Sequence, residues 1–167
     1  MIKPNLVKWM TKEQFGLLEN RQIIDAIGIT QEVLHRVKTK NLEALILKMD
    51  LFKAYDKVDW VYLRLILIPM GLPLQVSQWI MAYITSACFV VLFNGTPSTF
   101  FKGAKGLRQG CPLSLILFLF IVEGLNIFFW KFRDEKKLNG IKLSDSLTIT
   151  HLIFMDDVLI FGFYYWE

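Results

Sequence analysis

From Gln22 to Lys38 apolar residues return every three or four positions. Ile23, Ile24, Ile27, Val33, Leu34 and Val37 form one set; Asp25, Gln31, Glu32, Arg36 and Lys38 fill the other face. That period predicts an amphipathic helix, weakened at Gly28. Ala44 to Met49 is a short apolar run that ends at Asp50, as a buried strand does. A helix is expected from Asp56, as N-cap with Asp59 in its first turn, to Ile68 before Pro69 and Gly71. A second follows from Leu74 to Thr85, with Val76, Trp79, Ile80 and Tyr83 at helical spacing. Cys88 to Phe93 reads as a strand, Asn94-Gly95 as a tight turn, and Thr99 to Lys102 as the returning strand. From Pro112 to about Phe132 the chain is apolar nearly all round, which predicts a buried helix with proline in its first turn. Asn139-Gly140 marks another turn. Leu147 to Phe154 and Val158 to Phe161 form a hairpin with Met155-Asp156-Asp157 at its tip.

Residues 1–20 have weak periodicity and read as loop plus a short element. The order helix, strand, helix, helix, hairpin, helix, hairpin predicts an α+β fold, an antiparallel sheet backed by helices. No repeat, low-complexity segment or linker interrupts it.

Composition narrows the class. Apolar residues make up 54% and charged residues 20% of the 167, which excludes disorder. Cys88 and Cys111 have no CxxC or HxxxH partner, so they read as reduced thiols of an intracellular protein rather than metal ligands. A formal charge of +4 permits a polyanionic partner without demanding one. The mean hydropathy of +0.41 raises the question of a membrane. The uncharged stretch from Leu65 to Phe101 is broken by Pro69, Pro73, Asn94, Gly95 and Pro97, and the stretch from Leu113 to Trp130 by Glu123 and Asn126. A carboxylate is costly in lipid, so no stable membrane association is expected. The start Met1-Ile-Lys-Pro-Asn lacks the apolar region of a signal peptide.

Two groups of acids follow apolar strand runs: Asp50, with Asp56 and Asp59 behind it, and Asp156-Asp157. Adjacent like charges repel, and a divalent cation removes that cost through the carboxylate oxygens it prefers. Taken alone, Asp156-Asp157 reads as a solvated β-turn before it reads as a metal site. Likewise Lys102, Lys105 and Arg108, among Gly103, Gly106 and Gly110, read as a solvated loop or as a phosphate cradle ahead of a helix. Neither GxxxxGK[ST] nor GxGxxG occurs.

Longer motifs go further. Lys48-Met49-Asp50-Leu51-Phe52-Lys53-Ala54-Tyr55-Asp56-Lys57-Val58-Asp59-Trp60, Gly106-Leu107-Arg108-Gln109-Gly110-Cys111-Pro112-Leu113-Ser114 and His151-Leu152-Ile153-Phe154-Met155-Asp156-Asp157 occur in this order. With Gln14-Phe15 and Asn20-Arg21-Gln22-Ile23-Ile24-Asp25 ahead of them, they resemble the reverse transcriptases of non-LTR (LINE-type) retrotransposons, plant type, over about Gln14 to Phe161. The resemblance implies a polymerase palm over 43–167, carrying motifs A, B and C, and part of the fingers over 1–42. It implies an RNA-directed DNA polymerase working with two Mg²⁺ ions, Mn²⁺ being a substitute. Its partners would be an RNA template, a DNA primer and dNTP. Asp50 and Asp156 would be the principal metal ligands and Asp157 the third catalytic acid. Tyr55 would sit under the incoming sugar, unless it is a core aromatic. Gln109 and Gly110 would lie against the nascent base pair. Arg108 and Arg21 would contact phosphate or template, unless they are surface cations, and Lys102 and Lys105 would bind nucleic acid. Nuclear residence is implied by the family, with no import signal in the sequence.

Met155, Leu115 and Phe52 depart from the common pattern and leave the three acids intact. The sequence stops shortly after the third motif, so the thumb is expected to be missing. A fragment with weak or no activity alone is expected, and a non-catalytic remnant that binds nucleic acid is the alternative.

Overall fold

The computed structural model describes residues 9–163; the expected absence of a leader at Met1-Ile-Lys-Pro-Asn and the end beyond Phe163 lie outside the described residues. Close packing divides the chain into two units. One comprises residues 9–52 with 122–163, the other Lys53–Ile121. These boundaries follow packing.

In the first unit, α1 runs Ile23–Thr39, where Asp25 accepts a hydrogen bond from the Gln22 backbone N–H at 2.9 Å. It is followed by β1, Ala44–Asp50. Further along come β6 (Ile141–Lys142), β7 (Thr148–Ile149), β8 (His151–Phe154) and β9 (Asp157–Phe163). The sheet order is β1-β9-β8, both pairings antiparallel, with β6 pairing β7 apart from it. The register sets Ile46 opposite Phe161, Lys48 opposite Leu159 and Asp50 opposite Asp157. Directly opposed residues share a face, and alternation places their neighbours on the other.

One face therefore carries Ile46, Leu159, Phe161, Leu152 and Phe154. These pack with Ala26 and Val33, seven residues apart on α1, in a core that also takes in Phe15, Ile141 and Ile149. Val33 and Phe161 are fully buried. Truncating such a ring costs about 3–5 kcal/mol. The other face carries Val158, Ile153 and His151, all fully buried. The segment before α1 adds a fourth rung. Phe15 N–H donates to Ile153 O at 2.8 Å and Ile153 N–H to Glu13 O at 2.9 Å.

The second unit holds α2 (Ala54–Lys57), α3 (Trp60–Leu67), α4 (Leu74–Thr85) and the short strands β2 (Cys88–Phe89), β3 (Leu92–Phe93), β4 (Thr96–Pro97) and β5 (Phe101–Lys102). The helix expected from Asp56 begins instead at Trp60. Asp59 is its cap, its carboxylate accepting from Tyr62 N–H at 2.9 Å. The carbonyls of Tyr55 and Val58 accept hydrogen bonds from Leu107 and Gly106 at 2.8 and 2.7 Å, so they cannot serve a continuous helix. The Asn94-Gly95 hairpin forms, with β2 pairing β5 and β3 pairing β4. It is interrupted where residues 98–100 oppose 90–91, a bulge that fragments the two expected strands.

The last helix, α5, Pro112–Asp134, begins in the second unit and ends in the first. Among the described residues it is the one helix long and apolar enough to cross a membrane, and half of its most apolar stretch is buried in protein. The expected strand from Leu147 to Phe154 splits at Thr150, because its first part pairs with β6 and its second with β9.

Candidate active site

In the first unit the strand register sets the chemistry. Asp50 closes β1 and Asp157 opens β9, directly opposite one another on the same face. Asp156 occupies the tight turn between β8 and β9, where Met155 has a φ of 57°. Its carbonyl accepts from Leu51 N–H at 2.9 Å, which ties the end of β1 to the turn. A side chain at residue 16 would collide with that turn, since a Cβ there lies 2.9 Å from Met155 N. Asp50 and Asp156 are exposed and Asp157 half-buried.

A cation already lies among these acids. Lys48 Nζ stands 3.0 Å from Asp157 Oδ1. The hydrogen bond to Asp157 raises the lysine pKa most, its charge adds to this, and Asp50 and Asp156 add weaker pulls. The oxygen donors are of the type a hard divalent cation prefers, and Asp50 and Asp156 are open to water. Among the described residues no group of three or more His, Cys, Asp or Glu is placed to share one ion.

Arg21, the residue the resemblance assigns to phosphate or template, has its guanidinium on backbone carbonyls. It donates to Thr11 O, to Gln14 O at 2.7 Å and to Met10 O at 3.3 Å. It thus braces the segment that pairs with Ile153.

A buried polar chain runs through the same unit. Glu123 accepts from Thr11 N–H at 2.9 Å and from Asn126 Nδ2 at 3.0 Å. Asn126 Oδ1 lies 2.9 Å from His151 Nε2, and Thr150 Oγ1 2.9 Å from His151 Nδ1. Because the Asn126 amide nitrogen is used on Glu123, its oxygen must accept, so His151 carries a proton on Nε2. Burial depresses the histidine to about pKa 4, with Arg133 adding to the effect. Burial also raises Glu123. In the sequence, Glu123 and Asn126 read only as interruptions of an apolar helix. Their spacing of three, which puts both on one helical face, was the available signal.

The remaining candidates lie in the second unit. Tyr55 is half-buried and stacks on Phe118, ring centroids 4.4 Å apart and 19° from parallel. Arg108, Gln109, Gly110, Lys102 and Lys105 are exposed. The loop before α5 is stitched to the region after Tyr55. Trp60 Nε1–H donates to Gly106 O at 2.7 Å, alongside the two backbone bonds from Gly106 and Leu107. A cavity of about 490 Å³ opens here, with Trp60, Tyr83, Phe89, Lys105, Arg108 and Gln109 in its wall.

Cys111 precedes α5 with its Sγ 3.5 Å from the Tyr83 hydroxyl. That contact, then backbone N–H groups led by Ser114, lower its thiol to about pKa 7.

Gly106 has a φ of 89°, and a Cβ there would lie 3.0 Å from Asp56 O. Gly110 has a φ of 78° with open space around it. Gly106→Ala is expected to cost about 2 kcal/mol and Gly110→Ala about 1 kcal/mol, because only the first adds a collision to the left-handed strain. Chemical denaturation of both variants checks the order.

Comparison with known proteins agrees with the motifs. The family model described as reverse transcriptase (RNA-dependent DNA polymerase) matches residues 1–162. A Xenopus laevis protein named as an uncharacterized 149 kDa protein of transposon TX1 is 27% identical over 160 residues, 95% of this chain and 12% of that protein. An uncharacterized mitochondrial protein of Arabidopsis thaliana is 40% identical over 72 residues, 41% of this chain and 59% of that one. The retrovirus-related Pol polyprotein from the type-1 retrotransposable element R2 of Popillia japonica is 27% identical over 127 residues, 76% of this chain and 20% of the polyprotein. The chain thus spans less than two thirds of each of these relatives.

Proposed function

The chain belongs to the reverse transcriptase family, of the non-LTR retrotransposon kind, and from that premise we propose that it is the catalytic core of an RNA-directed DNA polymerase. In this reading residues 43–167 act as the palm and residues 1–42 as part of the fingers. The observation that supports it is the β1–β9 register, which sets Asp50 opposite Asp157 beside the turn bearing Asp156. Asp50 and Asp156 would hold Mg²⁺, or Mn²⁺ in its place, and Asp157 would make the weaker contact. When bound, the ions would neutralise charge on the phosphate being transferred and on the leaving pyrophosphate.

The chain's own side chains position the reactants. Asp50 and Asp156 would keep their carboxylates, with the ions they would hold, beside the reacting end of the primer. Tyr55 carries the sugar and excludes a 2′-hydroxyl, its ring fixed by the stack on Phe118. Gln109 and Gly110 lie along the new base pair, where a residue without Cβ allows close approach. Arg108 faces phosphate, and Lys102 and Lys105 hold the polyanion. Positioning and charge placement, rather than covalent chemistry, account for the rate in this class of reaction. Partners are an RNA template, a DNA primer and dNTP, with residence in the nucleus.

Primer extension on an RNA template tests this. Incorporation that requires Mg²⁺ and is lost in Asp50→Asn supports it; incorporation indifferent to both overturns it. Tyr55→Ala is expected to raise ribonucleotide use relative to deoxynucleotide about ten- to a hundredfold, the range over which a pocket wall discriminates one hydroxyl. Running the assay with each nucleotide set measures the ratio.

A second reading, a non-catalytic nucleic-acid binder, draws on the Lys48–Asp157 ion pair and on the absence of a three-ligand group among the described residues. It predicts RNA binding without extension.

A further inference from the structure

The formal charge is distributed unevenly. Lys53, Lys57, Arg64, Lys102, Lys105 and Arg108 outnumber Asp56 and Asp59 in the second unit by four, which is the whole excess of +4. No acid occurs from Trp60 through Val122. Out of this basic unit stands the hairpin of residues 88–102, and its apolar side chains are not buried. Phe93 is 75% exposed and Phe100 79% exposed, with Phe89 and Phe101 also open. The last two face each other across the ladder, ring centroids 6.0 Å apart, and Phe89 is at the same time a wall of the 490 Å³ cavity. Phe100 lies in the bulge, outside the paired strands. Lys102 follows the rings, and Lys105 and Arg108 line the cavity mouth.

We propose that the hairpin of residues 88–102 and the cavity at its base form a binding surface for single-stranded RNA, in which Phe93 and Phe100 stack on unpaired bases while Lys102, Lys105 and Arg108 hold the phosphates. The choice of RNA as occupant rests on the polymerase reading and on two observations. Flat rings beside cations are the pattern that binds single strands without reading sequence. The cavity is lined by rings, cations and a glutamine, the groups that an unstacked base and its phosphate would meet. An anionic bilayer shares the attraction for cations and rings but presents a plane, which fills no cavity.

Equilibrium binding of a fluorescently labelled, unstructured RNA oligomer to the chain tests the proposal, at several salt concentrations and beside vesicles containing phosphatidylserine. Phe93→Ala and Phe100→Ala are each expected to weaken RNA binding about tenfold with the salt slope kept. Lys105→Ala with Arg108→Ala is expected to flatten the log–log salt slope by about 1.4, two phosphate contacts on a single strand. Phe93→Leu and Phe100→Leu keep apolar bulk without a flat ring, and they should lose binding as the alanine variants do. All of these side chains are exposed, so unfolding midpoints should stay with the parent chain. RNA binding unchanged by the leucine and alanine variants overturns the proposal. So does a loss confined to vesicle binding, which would make the hairpin a lipid contact. The double variant Asp50→Asn, Asp156→Asn separates the readings: extension that survives it removes the polymerase reading and leaves the binding surface standing, whereas RNA binding lost with the acids overturns the binding surface.

Discussion

Asp156→Asn is expected to lower the single-turnover rate of primer extension by at least about a thousandfold, roughly 4 kcal/mol of transition-state stabilisation. In the proposed reaction this carboxylate would hold a divalent cation beside the phosphate being transferred, and an asparagine of the same shape supplies an oxygen without the charge that binds the ion. Its exposure makes the change safe for folding, because no buried hydrogen bond of the side chain is removed and the backbone bond from Leu51 to its carbonyl remains. RNA affinity should change by less than about twofold, since the phosphate-binding cations lie elsewhere. Asp157→Asn should cost less, on the order of tenfold. Asp157 is already neutralised in part by Lys48 at 3.0 Å, and losing that pair releases the ammonium toward Asp50 and Asp156. Wild-type extension by Asp156→Asn would remove the acid from the mechanism.

The acids were legible in the sequence because each sits at a boundary that sequence can mark. Asp50 ends an apolar run and Asp156-Asp157 interrupts one, and the strands Ala44–Asp50 and Asp157–Phe163 fall close to those runs. Hydrogen bonds from distant residues are not marked in this way. The helix start moved from Asp56 to Asp59 because Gly106 and Leu107, some fifty residues later, take the carbonyls of Val58 and Tyr55. Both aspartates are good caps, so local preference could not choose between them. The returning strand from Thr99 was shortened by a bulge, which a β-prone composition does not reveal. Arg21 looked like a free cation in a polar stretch, and only the folded chain brings Met10, Thr11 and Gln14 carbonyls to its guanidinium. The motif signal concerned identity and the hydrogen-bond signal concerned geometry, which explains why candidate site residues could be proposed while the residues packed around them could not.

His151 is the clearest of those neighbours, and it predicts how the fold responds to acid. It is fully buried, neutral, and used at both ring nitrogens, by Thr150 and by Asn126. Its pKa in the fold is about 4 against an ordinary value of 6.5, because burial penalises the imidazolium and Arg133 repels it. A depressed histidine contributes its full stability above pH 6.5 and loses it as the pH falls toward 4, since the unfolded chain takes up a proton that the folded chain refuses. The expected loss is about 3 kcal/mol by pH 4. Glu123 works in the opposite sense, because burial raises its carboxyl, so the folded state gains a proton first and is favoured by acid. Thr11 and Asn126 hydrogen bonds hold that rise in check, while Glu13 adds to it. The two effects separate in His151→Gln, which keeps a donor and an acceptor but cannot titrate, and which leaves Glu123 in place. Urea denaturation from pH 7 to pH 4 should show a steep decline in the parent chain and a much shallower one in the variant. Parallel declines would place the acid-sensitive proton elsewhere. Because His151 opens the same four-residue strand that leads into Met155 and Asp156, protonating it should unsettle the acid-bearing turn before the rest of the sheet. Hydrogen exchange at Ile153 and Asp157 would then quicken at a higher pH than exchange in α1.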